Sequence, residues 1–221
     1  MNVANKLTMV RIFLTVVLIT ILLFPFYMVN IEFPEILIGT VTVDTKYLIA
    51  AGIFMIASFT DFLDGFIARK YNMVTDFGKM VDAIADKMLV NSTLIILTAN
   101  GFVHPIITVV IIFRDTCVDT IKMIAGSKGK VVAAIKTGKV KTALLMLGII
   151  FSLCYNLPFE LLGYDVANFL LVLAMFFSVI SGAQYYFMNK KILFEKDKNQ
   201  NIASDKWTKN SLLLGNFLIF A

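Results

Sequence analysis

Apolar residues gather into six long stretches, near residues 12–29, 47–66, 79–100, 103–122, 142–157 and 166–188, with short polar connections between them. Each is close to the ~20 residues that a helix needs to cross the roughly 30 Å hydrocarbon core of a bilayer. The pattern predicts an all-α integral membrane protein with six transmembrane helices. No small-residue cleavage signature follows the first stretch, so it is read as a retained span and not as a removable signal. The connections alternate in charge. Lys6 and Arg11 come before or at the start of the first stretch, and Arg69, Lys70 and Lys79 surround the second connection after it. Lys122, Lys128, Lys130, Lys136, Lys139 and Lys141 crowd the fourth, and Lys190, Lys191, Lys196 and Lys198 follow the last span. The intervening connections carry mainly Glu32, Glu35, Asp44, Glu160 and Asp165, and the segment NGFVHP has no Lys or Arg. The positive-inside rule therefore places both termini in the cytoplasm.

Composition agrees with the pattern. Hydrophobic residues make up 59% and charged residues 16%, against roughly 45–50% and 25% in soluble domains. A soluble fold with a single anchor is excluded. The net charge of +5 is assigned to cytoplasmic loops near anionic lipid head groups, with no need for a nucleic-acid partner. Cys117 and Cys154 lie in apolar runs and imply no disulfide, and His104, beside Pro105, reads as a polar loop residue. The 20 Phe, 7 Tyr and 11 Met are assigned to lipid-facing and helix-packing positions.

Four aspartates break the apolar pattern: Asp61 and Asp64 at the end of the second stretch, Asp82 and Asp86 at the start of the third. Spacings of three and four put each pair on one helix face. A carboxylate at the centre of a membrane helix costs roughly 2.5–3.5 kcal/mol on insertion scales. Four clustered acids therefore call for cations, and hard divalent ions prefer oxygen ligands. The topology turns the cluster toward the cytosol. Gly65 follows Asp64, and Gly78, Asp82 and Asp86 form one stripe, so a second backbone or a flat ligand can approach closely. Arg69 adds a planar fork suited to phosphate oxygens. Together these residues suit a pyrophosphate-containing nucleotide.

The run Asp61-x-x-Asp64-Gly65-x-x-Ala68-Arg69, eight residues, then Gly78-x-x-x-Asp82-x-x-x-Asp86 resembles the signature of the CDP-alcohol phosphatidyltransferases at every defined position. The resemblance implies six transmembrane helices and displacement of CMP from a CDP-linked lipid by a hydroxyl group. It further implies two divalent metal ions, Mg²⁺ or Mn²⁺, held by Asp61, Asp64, Asp82 and Asp86, with Asp86 also the general base. Gly65, Ala68, Arg69 and Gly78 would line the nucleotide beside Asp61, Asp64 and Asp82. A homodimer in the bacterial cytoplasmic (inner) membrane is also implied.

The N-terminal Asn5-x-Leu7-Thr8-x-x-Arg11 is similar to the segment of those members that use glycerol 3-phosphate, although Ala4 stands where they usually have proline. There it is a short amphipathic interfacial helix near the nucleotide, which adds Asn5 and Thr8 to the nucleotide site; read plainly, it is a basic interfacial anchor. Arg114, Lys122, Lys139 and Lys141 resemble the basic residues that bind a phosphorylated acceptor, Lys122 replacing an arginine fork by a point charge. Asp115 and Asp119 stand close enough to pair with Arg114 and Lys122 instead. The expected reaction takes CDP-diacylglycerol and glycerol 3-phosphate. Another acceptor, inositol phosphate or serine, is the nearest alternative. A divalent-cation transporter explains the acids but leaves Gly65, Arg69, Gly78 and the basic set idle. Ser181, Gly182 and Gln184 are read as a close-packing spot. The resemblance gives a membrane domain over residues 1–190 and a tail, 191–221, without a role.

Overall fold

In a computed structural model the described residues are 3–30, 33–70 and 76–194, with side chains described except at 3–5, 27, 62, 64, 66–70, 76, 77 and 79. Six helices dominate: α1 (Val3–Leu23), α2 (Thr45–Lys70), α3 (Asp76–Ala99), α4 (Pro105–Ser127), α5 (Lys136–Leu153) and α6 (Val166–Phe194). Each covers most of one of the six apolar stretches. α6 runs through the 190/191 boundary to Phe194, and the rest of the tail lies outside the described residues.

Two features differ from the expected outline. The N-terminal segment is not a separate interfacial helix: Val3–Leu23 is one continuous helix. It contains neither Gly nor Pro, so nothing breaks its backbone ladder until Pro25, which cannot continue a helix. The first connection is not wholly irregular either. It folds into an antiparallel hairpin of β1 (Glu35–Ile38) and β2 (Val41–Asp44), with Glu35 opposite Asp44 and Ile38 opposite Val41. Gly39, at φ +65°, supplies the left-handed backbone that so short a turn requires.

On length and composition, α1 from Lys6 to Leu23 and α6 are apolar enough to cross a membrane. The outer surface is apolar as well. Phe13, Phe113, Phe169 and Phe176 project outward, each more than 60% exposed, as expected where the surrounding solvent is hydrocarbon and not water. Inside, Leu18, Phe54, Leu89, Leu94, Ile111, Leu145, Ile149 and Leu171 form one continuous core. α5 packs on α6, and α1 packs on α2 and α3. At the α5–α6 contact a Cβ on Gly148 would meet Leu171 Cγ at 2.7 Å, so only glycine permits that approach. His104 is more than a loop residue. It caps α4, its Nδ1 accepting from Ile106 N at 3.3 Å with Pro105 as the first helical residue.

The alternating helices bring the start of α1, the end of α2, the start of α3, the end of α4, the start of α5 and the end of α6 to one end of the bundle. Ion pairs from α1 reach both α2 and α3. Lys128 Nζ donates to Ile192 O at 2.8 Å, and Ile135 N to the Tyr185 hydroxyl at 3.2 Å.

Candidate active site

α1 delivers a cation into the aspartate region. Arg11 is fully buried, and its Nη1 lies 2.8 Å from both Asp61 Oδ1 on α2 and Asp82 Oδ1 on α3. The two carboxylates are therefore within twice that distance of each other, and their side chains are still 32% and 45% exposed. The Thr15 hydroxyl donates to the Arg11 carbonyl at 2.8 Å, and Thr8, one turn before Arg11, is buried. Asp86 lies one turn beyond Asp82 on α3. Its Oδ1 is buried and has no hydrogen-bond partner among the described residues.

A cavity of about 610 Å³ opens beside these groups. Ser58, Asp61 and Gly65 form its α2 wall, at the i, i+3, i+7 spacing of one helix face, and Asp82 contributes from α3. The opposite wall holds Arg114 and Lys122 of α4, Gly138 and Lys139 of α5, and Tyr185 of α6. A smaller pocket of about 160 Å³ shares Arg114, Val118, Lys122 and Thr142 with the first, and adds Asp86, Asp115 and Lys141. Asp61, Gly65, Asp82, Arg114, Lys122 and Lys139 thus line one space, and Asp86 and Lys141 the adjoining one. The side chains of Asn5, Asp64, Ala68 and Arg69 lie outside the described residues, although α1 and α2 carry their backbones.

The basic wall is internally tied. Arg114 Nη1 donates to Asp115 Oδ1 at 2.8 Å, its Nε to Ser178 O at 3.1 Å and its Nη2 to Ser181 Oγ at 2.6 Å. Lys141, which is buried, donates to both oxygens of Asp115, at 3.0 and 2.7 Å. Asp115 is therefore the hub that holds one cation of α4 and one of α5. Lys122 places its ammonium 5.6 Å from the centre of the Tyr185 ring, and Lys87 pairs with Asp119. The alternative pairing of Asp119 with Lys122 is thus replaced by Asp119 with Lys87. Gly182 packs as the sequence suggested: a Cβ there would come within 2.9 Å of Arg114 Cγ. Gln184 accepts from the Thr137 hydroxyl at 2.6 Å.

Three contributors escaped the sequence reading. Arg11 stood in the N-terminal segment with no partner assigned. Asp115 appeared only as a neighbour of Arg114, because its tie to Lys141 spans 26 residues. Ser58, whose buried hydroxyl has no partner among the described residues, carried no signal beyond its place three residues before Asp61.

The donor set suits a hard divalent cation: carboxylate oxygens only, one of them buried and unpartnered. Among the described residues no three such groups converge into a finished cage, and the Arg11 guanidinium holds the space between two of them.

Fold and site together define an apolar helical bundle with a cavity of mixed carboxylates and cations at one end. The sequence profile of the CDP-alcohol phosphatidyltransferases matches residues 1–180, and the chain belongs to that family. It is 38% identical over 192 residues to the CDP-diacylglycerol–glycerol-3-phosphate 3-phosphatidyltransferase of Bacillus subtilis (strain 168), covering 87% of this chain and 97% of that one. Enzymes of the same name from Mycoplasma genitalium (35% identical; 84% of this chain, 76% of that one) and Rickettsia felis (32%; 86% and 96%) are similar over most of their length.

Proposed function

We propose that this chain transfers the phosphatidyl group of CDP-diacylglycerol to glycerol 3-phosphate and releases CMP, a step of anionic phospholipid synthesis. The observation that carries this reading is the single cavity lined both by Asp61, Gly65 and Asp82 of the family motif and by Arg114, Lys122 and Lys139. The names of the similar enzymes point to the same acceptor. Asp61, Asp64, Asp82 and Asp86 would hold two divalent cations, Mg²⁺ or Mn²⁺, which when bound neutralise the pyrophosphate and the departing CMP. Gly65, Ala68, Arg69 and Gly78, with Asn5 and Thr8 of α1, form the nucleotide side.

The chain's own part in the chemistry is positioning and proton transfer. The acceptor hydroxyl oxygen bonds to the β-phosphorus, and the bond from that phosphorus to the bridging oxygen of CMP breaks. Asp86 takes the hydroxyl proton; its unpartnered Oδ1 is the carboxylate oxygen free to do so. Lys122 and Lys139 meet the acceptor's phosphate. Arg114 and Lys141, fixed by Asp115, add positive potential behind it. Six transmembrane passes, both termini in the cytoplasm and a cytoplasm-facing site in the bacterial inner membrane complete the reading, with the acyl chains entering from the bilayer and a second copy of the chain as partner.

Acceptor competition tests it. Protein reconstituted in liposomes with CDP-diacylglycerol is given glycerol 3-phosphate, serine and inositol phosphate together, and the lipid products are separated. Glycerol 3-phosphate is expected to provide nearly all the product. Incorporation of serine or inositol phosphate in its place would assign another acceptor.

A further inference from the structure

Arg11 takes no part in the proposed chemistry. A fully buried guanidinium has been placed midway between two carboxylates that the proposed function assigns to cations, and it comes from α1, outside the aspartate motif. Burying a charge is costly unless it is paired. Asp61 and Asp82 supply that pairing from two different helices, and the same nitrogen serves both at 2.8 Å. In the opposite sense, two carboxylates so close together repel each other when no positive charge lies between them.

We infer that Arg11 is a built-in counter-ion of the aspartate site: its single positive charge offsets part of the negative charge of Asp61 and Asp82 in the metal-free protein, and it gives up part of that pairing when a divalent cation enters. Arg11 is then a positioning residue. It keeps the α2 and α3 carboxylates together before metal arrives, and it sets metal affinity by competing for the same oxygens. Because Arg11 belongs to α1, metal entry also loosens the tie between that helix and the α2–α3 pair. The inference rests on the reading that Asp61 and Asp82 take cations.

The sign of the effect separates this role from a purely structural one. A residue that merely props the site up would, once removed, leave looser ligands and weaker binding. A competing counter-ion would, once removed, leave two uncompensated carboxylates that attract Mn²⁺ more strongly. The test is calorimetric titration of the metal-stripped, detergent-solubilised full chain with MnCl₂, comparing wild type with Arg11→Gln and with Arg11→Met, which keeps the length without the charge. Thermal melts are recorded with and without Mn²⁺. Both variants are expected to bind Mn²⁺ about tenfold more tightly or better, the size of effect that removing one nearby unit charge gives at moderate effective dielectric. Their metal-free melting point is expected to fall and to recover on adding Mn²⁺. A variant recovered folded only when Mn²⁺ is present also supports the inference. Unchanged or weaker Mn²⁺ affinity in a folded variant overturns it, as does a variant that stays unfolded with or without Mn²⁺. If neither wild type nor variants bind Mn²⁺, the metal reading of the aspartates falls, and the counter-ion role with it.

Discussion

Asp86→Asn is expected to lower turnover by about a thousandfold or more while leaving the helical content and the thermal melt near those of the wild type. Asparagine keeps the volume and the hydrogen-bonding shape of aspartate but cannot take a proton from the attacking hydroxyl. A positioned general base contributes roughly 10²–10⁴-fold, and the lost negative charge weakens cation binding in addition. The fold should tolerate the change, because Asp86 Oδ1 makes no hydrogen bond that the bundle relies on. Removing an unpartnered buried charge relieves a cost instead of adding one. Initial rates of lipid product formation, with circular dichroism as the folding control, check this. A near-normal rate would remove Asp86 from the proton-transfer step.

The second large effect lies outside the aspartate motif. Asp115→Ala is expected to destabilise the protein by about 2–3 kcal/mol, somewhat below the roughly 3–5 kcal/mol for removing one partner of a fully buried pair, since the Asp115 side chain keeps 19% exposure. The substitution leaves two cations, Arg114 and Lys141, without their shared acceptor; Lys141 is only 5% exposed and has no other hydrogen-bond acceptor described. Those cations come from α4 and α5, and Arg114 is also tied to α6 through Ser178 and Ser181. One carboxylate therefore holds three helices in register at the site. A lowered midpoint in detergent melting, together with a raised KM for glycerol 3-phosphate, is the expected outcome. Asp115→Asn, which still accepts hydrogen bonds, should lie between the variant and wild type. Wild-type melting in Asp115→Ala would show that Arg114 and Lys141 find other partners.

These expectations draw unequally on the sequence. The six helices were visible because each is built on a long apolar stretch. The start of α4 fell within a few residues of the expected one, at Pro105, whereas the first apolar stretch was read through Pro25 to residue 29 and α1 ends at Leu23. The hairpin at 35–44 was hidden because a four-residue strand leaves too short a pattern beneath the hydropathy of its neighbours. The N-terminal helix was expected to be separate on resemblance, yet no residue in Val3–Leu23 interrupts it. At the site, Asp61, Asp82 and Asp86 were legible because acids in apolar helices demand a reason and their spacing sets a common face. Partners across helices were not. Arg11 with Asp61 and Asp82, and Asp115 with Lys141, join positions whose proximity depends on how α1 and α5 pack, which no local spacing encodes. The sequence could name Arg114 as an unusual charge within an apolar stretch. It could not say that three of its donors turn inward.

The central claim is that one cavity joins a cation-held CDP-lipid to a phosphorylated alcohol. The most direct measurement counts products from the purified chain in liposomes with CDP-diacylglycerol, labelled glycerol 3-phosphate and Mg²⁺, with and without EDTA. Labelled lipid and CMP should form in equal amounts, and EDTA should abolish both. CMP released without labelled lipid, or labelled lipid formed at an undiminished rate in EDTA, would contradict the account.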